Sequence, residues 1–261
     1  MNELIAKAQA GDRAALEQLL REIAPAVRRF GMHMCRNGAD AQDVLQDTLM
    51  AVADHLDQYA GRASLSSWVF MLARTACARR RRGRKNQPAA GDEQLVNVET
   101  HDAGPEHTAE QRQLSALVTR ALGQLSAEHR EVIALRDVEG LSADETAEAL
   151  GISTQAVKSR LHRAREALRV RLAEVLEPHA QRRPPTCPDV AAMFSRKLED
   201  ELTQQDCARM EAHLAGCPYC EQTCHALRDV LSACQAERGA APSPEVQAAI
   251  RATLARLAQG G

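Results

Sequence analysis

An all-α protein is expected from three features of these 261 residues. Aromatic residues make up only 2% of the chain while hydrophobic residues reach 44%, with Ala, Leu, Arg and Glu dominant. That mix suits packed helices, because sheets lean on β-branched and aromatic side chains. Apolar residues recur at helical rather than alternating spacing. Asp and Ser stand repeatedly where a helix needs an N-cap. The length accommodates about two or three domains at ~100 residues each.

The first helical block runs from about residue 10 to 85. Asp12 is placed to cap a helix over 14–35, AALEQLLREIAPAVRRFGMHMC, and Asp40 to cap a second over 41–56, where Val44, Leu45, Thr48, Leu49, Val52 and Leu56 share a face. Ser64 opens a third, LSSWVFMLARTACARRRR, in which Trp68 is read as core. Residues 86–105 carry Pro88, Gly91, Gly104 and Pro105 with little periodicity and read as a flexible linker.

The second block spans 106–178. Ser126 caps EHREVIALRDV, and Ser142 with Glu145 forms a capping box for DETAEAL. After the turn around Gly151, Ser153 caps TQAVKSRLHRAREALRVRLAEVL. A capped helix, a tight turn and a longer basic helix make a helix-turn-helix signature. Ala147 and Gly151 are expected to permit a close helix crossing. On the last helix Val157, Leu161, Ala164 and Leu168 form an apolar face, leaving Lys158, Ser159, His162, Arg163 and Arg165 to reach base edges or phosphates. A second break, 179–186, contains RRPPT. Residues 187–261 form a cysteine-rich helical domain with an amphipathic tail, VQAAIRATLARL.

The net charge of −2 is uninformative, but its distribution is not. RRRRGRK (79–85) and the basic helix from 158 to 171 are separated, which suggests two contacts with a polyanion. The basic run can neutralise phosphates without reading sequence. There is no charged-then-apolar leader and no apolar run near the ~18 residues that span a bilayer. No phosphate-cradling loop or nucleophile with a placed base is present, so an enzyme is not expected. A cytosolic setting keeps thiols reduced, so the eight cysteines are not read as a disulfide framework.

Six of those cysteines fall between 187 and 234. His213-x3-Cys217-x2-Cys220 has the spacing of a soft-metal site and supplies three ligands; a closed tetrahedral site needs a fourth, for which Cys187 is the best candidate. Cys207, Cys224 and Cys234 are possible additional ligands, and sulfur-rich sites favour Zn(II), Cd(II) and Cu(I). Cys35 and Cys77, at apolar positions, are read as core.

Three stretches resemble the extracytoplasmic-function sigma factors of bacterial RNA polymerase. DAQDVLQDTLM (40–50) is similar to the region 2 helix of that family, SLSSWVFMLARTACARRRR (64–82) to its −10-reading segment, and residues 122–169 to its −35-reading region 4. The resemblance implies that Asp43, Val44, Gln46, Asp47 and Met50 face the β′ clamp helices of the polymerase core, with the β flap as a further contact. It implies that Arg74, Arg79 and Arg80 serve the −10 element, and that Lys158, Ser159, His162 and Arg163 contact the −35 element. CPDVAAMFSRKLEDELTQQDCARMEAHLAGCPYC (187–220) resembles the zinc-binding anti-sigma domain. A sigma factor fused to such a domain is similar to the CorE-like group of metal-responsive sigma factors. That implies a cytoplasmic transcription factor, gated by Zn(II) or Cd(II), with Cu as a further candidate, in its own tail and needing no membrane and no separate anti-sigma factor. The absence of a Cys-x-Cys pair favours Cd/Zn. A thiol redox switch around structural zinc, a helix-turn-helix regulator that never meets polymerase, and a metal buffer or chaperone are the alternatives.

Overall fold

The computed structural model describes residues 1–35, 37–83, 109–176, 184–236 and 243–259. Among these the regular structure is helical, as expected. The linker expected at 86–105 lies outside the described residues, and so does most of that at 179–186.

The chain begins with a helix the sequence pattern did not announce, α1 (Asn2–Gln9). Its Ile5 and Ala8 pack against Ala15, Leu19 and Leu56, and Gln9 donates to the carbonyls of Leu56 and Tyr59 at 2.9 and 2.8 Å. Asp12 caps α2 (Arg13–Met34) as expected, accepting from the amides of Ala14 and Ala15. Helix α3 (Gly38–His55) starts earlier than expected. Asn37, not Asp40, is its cap: the Asn37 side chain accepts from the amide of Asp40 at 2.8 Å, which draws Asp40 into the first turn. Gly31 is needed where α2 crosses α3, since a Cβ there would sit 3.2 Å from the Ala41 carbonyl oxygen. Ser64 opens α4 (Leu65–Gly83) and accepts from the amide of Ser67. Helices α2, α3 and α4 close around Leu20, Val27, Phe30, Leu45, Leu49 and Phe70, with Phe30 edge-on to Phe70 at 5.4 Å.

The second module is α5 (Ala109–Gly123), α6 (Ala127–Ile133), α7 (Ala143–Leu150) and α8 (Thr154–Leu176). Ser126 caps α6, which widens into a π-type turn over Ala134–Val138. Both halves of the Ser142/Glu145 capping box form, at 3.1 and 2.8 Å. Gly151 is explained differently from the expectation. Its φ is +66°, and a Cβ there would meet nothing within 4 Å. Glycine is favoured by the left-handed turn conformation, not by a close helix approach.

Helices α9 (Val190–Leu198), α10 (Gln204–Leu214) and α11 (Pro218–Ala236) enclose a small centre of Cys187, Val190, Phe194, Cys220, Cys224 and Leu227. The tail helix α12 (Pro244–Gln259), expected to belong with the cysteine-rich segment, packs instead on α2 and α3. Its Val246, Ala249 and Ile250 are part of the main core. Fully burying one such aliphatic side chain contributes about 1.5–3 kcal/mol, so Val246 and Ile250 together hold α12 by several kcal/mol.

Candidate functional site

Cys187, His213, Cys217 and Cys220 come together as a single group whose ligand atoms all lie within 4.8 Å of one another. Cys187 stands just ahead of α9, His213 in the last turn of α10, and Cys217 and Cys220 at the start of α11. The tight turn at Ala215–Gly216 brings the last three onto one centre. Cys187 Sγ is 3.6 Å from Cys217 Sγ, and His213 Nε2 is 3.3 Å from Cys220 Sγ. Zn–S bonds of about 2.3 Å in a tetrahedron place sulfurs roughly 3.8 Å apart, so the Cys187–Cys217 separation and the four-donor set suit a closed four-coordinate soft cation. Burial pushes the Cys220 thiol up to about 12, the neighbouring Cys217 and Cys187 adding to the shift. Hydrogen bonds led by the Cys220 backbone hold Cys217 below its ordinary value.

The extra cysteines do not join this group. Cys224 lies one turn beyond Cys220 in the apolar centre, its thiol raised by burial. Cys207 is half-buried near the start of α10 and outside the four-atom cluster. The side chain of Cys234 lies outside the described residues. Cys35 and Cys77 are core, as read; their thiols are hydrogen-bonded to each other, which lowers Cys35 and, together with burial, raises Cys77.

The same module carries an acidic turn that meets the basic helix α8. Asp200, at the end of α9, has a positive φ of 55°, a conformation Asp tolerates better than most residues. The turn aims Glu199 and Glu201 at α8. Lys158 Nζ pairs with Glu201 at 3.2 Å and lies 3.4 Å from the Glu199 carbonyl oxygen. Glu199 also takes Arg136 at 3.0 Å and Arg165 at 3.1 Å. Arg165 corrects an expectation. The sequence pattern predicts that it faces DNA, yet its side chain is only 7% exposed and is held by Asp137, Glu199 and Ser195. Burial works against the Arg165 charge, but the two carboxylates more than offset it and its pKa is raised. The position could have been found in the sequence: Arg165 falls four residues after Leu161 and eight after Val157, beside the apolar face. Ser159 and Arg163 are exposed and His162 is half-buried.

The candidates in the first module also divide. Val44 is fully buried among core side chains and cannot face a partner, a second correction; its place in the apolar series with Ala41, Leu45 and Leu49 was the available signal. Asp43 and Asp47 both pair with Arg80, an acid–base match between two sets of candidates. Arg74 turns into the junction with the second module, pairing with Glu131 at 2.6 Å and donating to the Ala149 carbonyl at 2.9 Å. Arg29 to Glu139 (2.7 Å) and the Ser67 hydroxyl to the Glu145 carbonyl (3.0 Å) join the modules as well. Arg79 is exposed. Gln46 and Met50 lie beneath α12: Gln46 donates to the Thr253 hydroxyl at 3.0 Å, and Arg256 reaches Met50 Sδ at 3.5 Å. Trp68 is half-buried against Tyr59, in keeping with a core role. No helix among the described residues is long and apolar enough to cross a membrane.

A bundle that matches sigma-70 region 2 over residues 19–87, a helix-turn-helix that matches sigma-70 region 4 over 115–168, and a stretch that matches a putative zinc-finger family over 187–220 define a transcription initiation factor with a zinc-finger segment behind it. The chain belongs to the ECF RNA polymerase sigma factors. It is 34% identical over 166 residues to the ECF RNA polymerase sigma factor SigM of Mycobacterium tuberculosis, covering 64% of this chain and 81% of that one. It is 33% identical over 172 residues to SigL of the same species, covering 66% and 96%. Two solved chains are also similar. CnrH, in complex with the cytosolic domain of CnrY, is 25% identical at a TM-score of 0.49 and covers 67% of this chain and 96% of its own. The sigma factor RpoE of Bartonella quintana is 26% identical at 0.49 and covers 60% and 96%. The latter was solved in complex with the anti-sigma factor NepR. Sigma factors bind RNA polymerase and promoter DNA; they are transcription regulators, not enzymes.

Proposed function

We propose that this sigma factor directs RNA polymerase to metal-stress promoters in the cytoplasm, and that a metal ion held by Cys187, His213, Cys217 and Cys220 gates it. One observation carries the reading: the ligand group and the acidic turn Glu199–Glu201 belong to one small module, and the turn holds Lys158, Arg136 and Arg165 of the promoter-reading module. Cys187 enters the centre from the start of α9, and the other three ligands from the end of α10 and the start of α11. The turn lies between those two points in the chain. Ligand bonds fix α9 against α10 and α11, since metal binding supplies folding energy to so small a domain. Metal occupancy therefore sets where the turn sits, and the turn sets whether Lys158 is available to a phosphate or base edge.

Ser159, His162 and Arg163 accompany Lys158 as −35 contacts in this reading, with Arg79 and Arg80 at the −10 side. Arg74 joins them only when the junction to Glu131 opens. Asp43, Gln46, Asp47 and Met50 form the polymerase-facing surface on the β′ side, with the β flap meeting the second module. The thiol-rich donor set favours Zn(II) and Cd(II), and Cu(I) is a further candidate.

Run-off transcription with core polymerase, titrating Zn(II), Cd(II), Cu(I) and Cu(II), tests this. The expected result is output that changes with one of these ions in the native chain and no longer changes in Cys217→Ala. The 3.6 Å approach of Cys187 and Cys217 favours a second reading, a thiol switch around structural zinc. Counting free thiols after peroxide separates the two. Metal-independent activity in reducing buffer supports the switch and defeats metal sensing.

A further inference from the structure

One stripe of α3 is engaged by the tail helix along its whole length. Gln42, Gln46, Met50 and Asp54 recur every fourth residue and so lie along one side of α3. Gln42 donates to the Glu245 carbonyl at 3.3 Å and Gln46 to the Thr253 hydroxyl at 3.0 Å. Arg256 spans the other two, with one nitrogen at Met50 Sδ (3.5 Å) and another at Asp54 (2.6 Å). From α2, Arg28 pairs with Glu245 at 3.3 Å, and Arg13 donates to the Leu254 carbonyl at 2.9 Å. Between these polar ends Val246, Ala249, Ile250 and Thr253 are buried. This is the pattern of a helix seated in a groove, with apolar anchors at i, i+3 and i+4, a buried threonine at i+7 and charges at both ends.

We propose that α12 is an internal occupant of the polymerase-docking groove, so that α12 and the polymerase core bind α2 and α3 in mutually exclusive fashion. This rests on the reading of Gln46 and Met50 as polymerase-facing. The groove is a site for an amphipathic helix, which the chain fills with its own C-terminal segment until a competing helix of the polymerase displaces it. This contact is distinct from the acidic turn. The turn covers the promoter-reading helix and belongs to the metal module, whereas α12 covers α3 and contributes none of the four metal ligands. A single chain therefore shields its polymerase face and its promoter face with two different elements.

Such competition has a simple arithmetic. If the groove is free in only a fraction of molecules, the apparent affinity for a competing partner falls by that fraction. Releasing α12 therefore raises affinity for core polymerase without any new contact to it.

The test uses the full-length chain. Ile250→Asp places a charge under α12. Arg256→Asp breaks the pair with Asp54 from the α12 side, and Asp54→Arg with Arg256→Asp restores it in reverse. Amide exchange of α12, core-polymerase affinity and zinc content are measured on each, with zinc and with chelator. The expected result is that Ile250→Asp and Arg256→Asp, both on α12, speed exchange in α12 and raise core affinity at least tenfold, in both metal conditions, with zinc content unchanged. The double charge swap returns both readouts toward native. Faster exchange in α12 with unchanged core affinity overturns the competition while leaving the sigma-factor reading intact. Unchanged exchange in α12 shows that these contacts do not hold the helix and overturns it as well. Loss of core binding on freeing the groove fails the assignment of α3 as the polymerase face, and the competition with it.

Discussion

The cysteine module and the tail helix both lie on the sigma-factor body, but they hold it by different forces. The module reaches α8 through charge: Glu199 accepts from Arg136 and Arg165, and Glu201 pairs with Lys158. The tail reaches α3 mainly through buried aliphatic side chains, with polar contacts around them. A charge contact made by a short turn can be moved by small changes in the position of that turn. A helix seated by Val246 and Ile250 has to be displaced as a unit. The proposed gating uses the first kind of contact and the proposed competition the second.

The largest expected effect breaks the module alone. Removing the ligand Cys220, as Cys220→Ser, abolishes stoichiometric metal binding. It also exposes residues 187–236 to limited proteolysis while α12 stays protected, because structural zinc supplies on the order of 10 kcal/mol of folding energy to small domains. Next comes the ion network at the contact between module and body. Arg165→Met leaves Asp137 and Glu199 buried without their shared partner and costs about 3–5 kcal/mol, read as a drop in denaturation midpoint. Glu201→Gln costs less, because its pair with Lys158 is part-exposed, and by loosening Lys158 it increases binding to −35 DNA at constant metal. Ile250→Val sharpens the tail side of the comparison, costing about 0.5–1.5 kcal/mol by hydrogen exchange in α12 and leaving zinc content untouched.

The smallest effect is a control that belongs to neither element. The Ser142 backbone amide leads the interactions holding the Glu145 carboxyl below its ordinary pKa. A carboxylate lowered in the folded state stabilises above its unfolded pKa, and that contribution is lost as pH falls through its folded value. Glu145→Gln keeps the capping-box acceptor and loses only the charge, so it destabilises by roughly a few tenths of a kcal/mol at neutral pH, and the difference from native vanishes in acid. Metal should not alter it.

The local features of this fold were legible in the sequence because they depend on residues a few positions apart. The caps at Asp12, Ser126 and Ser142 and the thiol and imidazole spacing at 213–220 needed no knowledge of distant contacts, whereas Cys187, 30 residues from Cys217, rests on the need for a fourth ligand and on the resemblance to the anti-sigma pattern. The contacts that distinguish this chain join residues far apart: Gln46 to Thr253, Asp54 to Arg256, Lys158 to Glu201. A helical periodicity shows that α12 has an apolar face but not which surface covers it. The same limit explains Arg80, whose partners Asp43 and Asp47 stand on another helix. Val44 and Arg165 are different. Their places in the apolar series were visible, and the resemblance-based role for Val44 and the charge of Arg165 outweighed them.

We propose that the C-terminal segment governs the sigma factor to which it is covalently joined, with metal as the signal. Run-off transcription across a metal titration, with the native chain beside Cys217→Ala, measures this directly. Output that follows Zn(II) or Cd(II) in the native chain and is flat in the variant is the predicted result. Identical, metal-independent output from both chains would contradict it and leave the four-ligand centre as structural support alone.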